Sequence, residues 1–129
     1  MKTWINLLTI VVCVVLLYSG TSHAAAATVL YTAPAGAFYP TTQTLYCDIL
    51  NVNKAGASAK AVTIAILDYD GNVVVTQSFS LGSGHGDALG DSSGNGAYCR
   101  FTVEGPAKMF RAMAIYDNGS AYTVAVPAQ

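Results

Sequence analysis

From residue 28 onward, apolar and polar side chains alternate in short runs separated by Gly, Asn and Asp. No stretch carries the three-to-four-residue apolar spacing of an amphipathic helix, so the pattern predicts an all-β chain. Thr28 to Tyr31 reads as a first strand, and Ala33 to Pro40, with its Pro and Gly, as irregular. In Gln43 to Val52, Leu45, Cys47 and Ile49 fall on one face and Tyr46, Asp48 and Leu50 on the other. After a turn around Asn53 to Ser58, Lys60 to Asp68 repeats the alternation with Val62, Ile64 and Ile66 inward. Asp70 and Gly71 mark a tight hairpin, because this pair readily takes the positive φ angles such turns require. Val73 to Phe79 is the returning strand.

Ser80 to Gly96 is rich in Gly, Ser and Asp and predicts a long loop, with at most one short strand near Ala88 and Leu89. Ala97 to Val103 follows, with Cys99, Phe101 and Val103 inward and Tyr98, Arg100 and Thr102 outward. Gly105 and Pro106 break the chain before Lys108 to Asp117, which is apolar on both faces apart from Lys108 and Arg111. Such a strand is either central and covered on both sides, which is the expectation adopted, or it presents an apolar patch. Asn118 and Gly119 predict another hairpin turn, and Tyr122 to Val126 the last strand. Seven or eight short strands in about 100 residues predict a single antiparallel β-sandwich.

The N-terminus changes how much of the chain enters that fold. Lys2, the apolar run Ile5 to Tyr18 and the small residues Ser19 to Ala27 have the form of a secretory signal peptide, residues 1–26, cleaved after about Ala24 or Ala26. A run of about 14 apolar residues is short of the roughly 20 that cross a bilayer, which argues against stable membrane insertion after cleavage. Cys13 lies inside this run, after Val12 rather than the small residue that lipidation needs. Residues 27–129 then form one sandwich domain, directed to the periplasm or the exterior.

In that domain Cys47 and Cys99 are the remaining cysteines. An even pair bound for an oxidising compartment makes a disulfide the default over a metal pair or free thiols. Both point inward on different strands, which suits a bridge between two sheets. Five basic side chains face seven acidic ones, a net charge of −2. Without clustered positive charge, neither nucleic acid nor an anionic membrane surface is an expected partner.

CDILNV from Cys47, the hairpin through Asp70, Gly71 and Asn72, LGSGHG from Leu81, YCRFTV from Tyr98, and the closing Val126, Pro127 and Ala128 together resemble small exported bacterial immunoglobulin-like β-sandwich proteins. The resemblance spans about 80 residues and implies a fold and an exported location, with no catalytic residues to carry over.

Candidate chemistry is sparse. Ser83, His85, Asp87, Asp91, Ser92 and Asn95 are close in sequence, but a nucleophilic triad needs a rigid scaffold to aim its three groups. Asp87, Asp91 and Asn95 could offer oxygen ligands to calcium, though their spacing fits no calcium loop. Asp48, Asp68, Asp70 and Glu104 are candidates for a glycosidase pair, yet turn chemistry accounts for Asp68 and Asp70. Tyr46, Tyr98 and Arg100 face away from the core and are residue types that anchor protein or sugar partners. The expectation is an exported, non-enzymatic protein without a cofactor that works by contact with a protein or glycan. The alternatives are a structural subunit of a surface polymer and a small hydrolase or metal-dependent enzyme using the Gly-rich loop.

Overall fold

The computed structural model describes residues 25–34, 44–117 and 123–129. The expected leader, most of the irregular Ala33 to Pro40 stretch and the Asn118–Gly119 turn lie outside these residues. The described residues form eight strands: β1 (Ala27–Tyr31), β2 (Thr44–Asn51), β3 (Lys60–Leu67), β4 (Val73–Leu81), β5 (Gly86–Asp91), β6 (Tyr98–Glu104), β7 (Phe110–Asp117) and β8 (Thr123–Pro127). They build two four-stranded antiparallel sheets, β1-β6-β3-β4 and β5-β2-β7-β8. The expected ends differ from the observed ones by a residue or two, the scatter normal for frayed element termini.

Alternation decides which side of each strand is buried. Leu45, Cys47 and Ile49 of β2 face Val62, Ile64 and Ile66 of β3 and Cys99, Phe101 and Val103 of β6 across the core, all of them buried. Cys47 and Cys99 join in a disulfide between the sheets, with Cα atoms 5.7 Å apart. The Asp70–Gly71 hairpin is present. The Asp68 carboxylate accepts hydrogen bonds from the backbone of Asp70 and Asn72 and from the Asn72 side chain, while Gly71 takes φ +86°.

The segment expected to be a long loop is largely strand. β4 runs to Leu81, a tight turn follows, and β5 pairs along β2 from Leu50↔Gly86 to Leu45↔Asp91. Its glycines hide the alternation: Leu89 and Asp91 are buried, while Gly86, Ala88 and Gly90 hold the opposite face. Strand pairing overrides weak local propensity there. The turn between β4 and β5 is fastened to the end of β2 by the buried Asn51. Its side chain donates to the Leu81 carbonyl and its backbone exchanges hydrogen bonds with Gly84 and His85.

The constant-type immunoglobulin order puts the second strand between the first and fifth, and the sixth between the third and seventh. Here the second lies between the fifth and seventh, and the sixth between the first and third. The central pairings are shared, the first and seventh strands have exchanged sheets, and the fourth pairs with the third instead of the fifth. Along that side the sheets are tied together: Tyr31 and Gln129 exchange backbone hydrogen bonds of 3.0 Å, and Thr32 bridges Ala128.

Candidate functional site

The two outer faces of the sandwich differ in chemistry. On β1-β6-β3-β4, Thr63, Thr76, Ser78 and Thr102 stand in adjacent rows, and Lys60 pairs with Glu104 at 3.6 Å. This is the polar face expected of a solvated sheet. Tyr98 and Arg100 lie on it, half-buried. The Tyr98 ring stands 6.5 Å from that of Tyr31 on β1, and Arg100 is paired in register with Tyr31.

Tyr46 lies on the opposite outer face. Cys47 and Cys99 turn toward each other, so their outward neighbours point away from each other; Tyr46 and Asp48 are therefore separated from Tyr98 and Arg100 by the whole core. The three expected contact residues do not form one surface.

On β5-β2-β7-β8 the outward positions are mostly apolar. β7 is central, between β2 and β8, as expected. Its inner side chains Phe110, Ala112, Ala114 and Tyr116 are buried, but Met113 and Arg111 are exposed. The expectation that it is covered on both sides is overturned, because no described element lies over its outer face. Tyr46, Leu50, Val52 and Met113 are each 36–40% exposed, and Leu50 and Met113 border one depression, so this end of the sheet presents apolar surface.

Asp48 sits inside this patch. Its register neighbours are Ala88 on β5 and Met113 on β7, and Tyr46 and Leu50 flank it on its own strand. Partial burial among these groups raises its pKa above the ordinary carboxylate value, and among the described residues nothing donates a hydrogen bond to it. Arg111 is diagonal to it, in register with Leu50; its guanidinium donates to the Phe110 carbonyl at 2.9 Å.

Small residues on β5 give this face its shape. Opposite Leu50, Asp48 and Tyr46 stand Gly86, Ala88 and Gly90. The Tyr46 ring lies over Gly90, where a Cβ would come within 3.0 Å of it, so that glycine is protected by an aromatic cross-strand neighbour. Around Asp48 no described side chain fills the equivalent space. An open depression of about 420 Å³ results, bordered by Asp48, Leu50, Gly86, Ala88, Arg111 and Met113.

The other candidates are dispersed or already engaged. Ser83 Oγ donates to the carbonyls of Asn53 and Lys54, and His85 is exposed in the turn. The Asp91 carboxylate accepts from the Ser93 backbone, the Ser93 hydroxyl and the Gly96 backbone. Burial alone would raise the Asp91 pKa, but these bonds outweigh it and lower it. Asp87 accepts from the Ala88 N–H. Among the described residues no three His, Cys, Asp or Glu side chains converge as a metal-binding group. Of the four carboxylates weighed for glycoside hydrolysis, Asp48 is on one sheet, Glu104 is on the other, and Asp68 organises a turn with Asp70 beside it.

Leu50, Met113, Arg111, Gly86 and Ala88 were not among the expected contact residues. Their signal was present in the two-sided apolarity of Lys108 to Asp117 and in the every-second-residue spacing of Gly86, Ala88 and Gly90. Comparison with known families, curated proteins and solved structures finds no match to this chain.

Proposed function

We propose that this is an exported, non-catalytic binding protein whose working surface is the outer face of β5-β2-β7-β8, and that its partner is another protein. The observation that carries this is Asp48: a desolvated carboxylate without a described donor, set in an exposed apolar patch beside an unfilled depression. A partner side chain bearing a cation would supply the missing counter-charge, while apolar neighbours seal the contact around it. One exposed Tyr is little stacking surface for a sugar, whereas Leu50, Val52 and Met113 suit a protein's apolar side chains. The buried disulfide between the sheets supports export, since such bonds persist in oxidising compartments.

The test is a binding screen of the purified protein on arrays of basic-apolar peptides and of glycans, run beside the Leu50→Asp plus Met113→Asp double variant. Peptide binding that the double variant weakens at least tenfold is the expected result. Binding to glycans alone, or peptide binding indifferent to both substitutions, would overturn the assignment.

A further inference from the structure

Among the described residues the sandwich has four edge strands, and three of them are closed or guarded. β1 and β8 are joined at one end through the Tyr31–Gln129 backbone bonds and the Thr32–Ala128 bridge. β5 is six residues long and carries Asp87 and Asp91. β4, on the same side of the sandwich as β5, is different. Its nine residues VVVTQSFSL contain no charge and no Pro, and among the described residues no strand pairs with its outer edge. Natural edges of this length usually carry Lys, Pro, a bulge or a cover that prevents pairing with another chain. The one irregularity here, where Val74 is extra between Val73 and Val75, lies at the first end and leaves Val75–Leu81 straight.

We infer that β4 pairs with β4 of a second copy, antiparallel, about a two-fold axis through Gln77. The strand's own residues select this register. A two-fold normal to the sheet must pass through a residue, because residues opposite one another in an antiparallel pair share a face. At Gln77 it sets Val75 opposite Phe79 of the second copy, Thr76 opposite Ser78, and Gln77 opposite itself. Val75 and Phe79 lie on the core side, in register with the buried Ile66 and Val62, and are themselves only partly buried. Thr76 and Ser78 lie on the polar outer face. The three central rows therefore match in kind: an aromatic with a β-branched side chain, hydroxyl with hydroxyl, amide with amide, the cross-strand combinations that stabilise sheets. No like charges meet.

The product is a continuous sheet β1-β6-β3-β4-β4-β3-β6-β1 across two molecules. Because the contact is isologous, it closes as a dimer and does not propagate into a filament. A short edge pairing buries less area than a permanent interface, so the association is reversible and concentration-dependent. It uses neither outer face, so it stands or falls separately from the proposed binding surface.

The position of the axis gives a direct test. Gln77 is exposed, and antiparallel partners have Cα atoms about 4.5–5.5 Å apart, within the range a disulfide spans. Under mild oxidation the Gln77→Cys variant should form a covalent dimer at least tenfold faster than the Ser80→Cys variant, whose two copies would be about 20 Å apart along the paired strands. Gln77→Lys, which sets like charges face to face on the axis, should shift the sedimentation mass of concentrated protein from dimer to monomer. Equal cross-linking of the two cysteine variants, a ladder of higher oligomers, or a mass unchanged by Gln77→Lys would each overturn the inference.

Discussion

Asp48 and Asp91 are two carboxylates on neighbouring strands whose environments act in opposite directions. Burial without a donor raises the pKa of Asp48, so the folded state favours its neutral form. That preference is fully present below the ordinary carboxylate range and is lost as pH rises through the raised value. Replacing Asp48 by Asn should therefore stabilise the protein at pH 7 by up to about 0.5 kcal/mol, small because solvent screens a half-buried group. The gain should vanish near pH ~3, where both residues are neutral. Urea-unfolding midpoints at the two pH values check this; a gain of equal size at both would contradict it. Asp91 contributes the other way, stabilising above the carboxylate range and losing that contribution as pH falls.

Gly96 closes the Asp91 turn against the core. A Cβ there would lie 2.5 Å from Ile66 Cγ2, 3.0 Å from Asp91 Oδ2 and 3.2 Å from Leu45 Cδ2. Ile66 and Leu45 are buried and Asp91 is held by three hydrogen bonds, so no neighbour can yield freely. Gly96→Ala should cost about 1–3 kcal/mol through overpacking, read as a lowered urea midpoint. An unchanged midpoint would mean that the turn is looser than its contacts indicate.

At the scale of elements, the strands whose two faces differ in polarity were legible from sequence. Cys47 and Cys99, Asp70 and Gly71, and the Val62–Ile64–Ile66 stripe each place themselves by alternation or turn chemistry. β5 was not legible as a strand beyond Ala88 and Leu89, because Gly86 and Gly90 score as turn residues in isolation. They serve in a strand because β2 supplies the partner and Tyr46 covers one of them. β7 was legible as an element but not as a surface. Apolar residues on both faces say that a strand is unusual, whereas which face is covered depends on the neighbouring layers. For the same reason the three expected contact residues were individually outward, as expected, yet separated by the fold. Side-chain parity within a strand is local, but the two sheets turn their outward sides in opposite directions.

For the whole molecule, the disulfide links residues 52 apart in sequence at the centre of both sheets. In the chain-entropy account a loop of this length contributes about 4 kcal/mol, a large part of the roughly 5–15 kcal/mol that typical domains have. The Cys47→Ala plus Cys99→Ala variant should unfold at a markedly lower urea concentration. The unsubstituted protein should shift to the same side when a reductant is present during unfolding. Identical midpoints for oxidised and reduced protein would show that the sheets hold together by packing alone.

The exchange of the first and seventh strands between sheets has a consequence for how the chain is made. β1 leaves the ribosome early, but among the described residues its only ladder partner is β6, and its far end is fixed by Gln129. Synthesis from the N-terminal side therefore leaves β1 without its ladder partner until β6 has followed it. For the export proposed above that delay is useful, because premature closure would leave a folded body to be unravelled before passage.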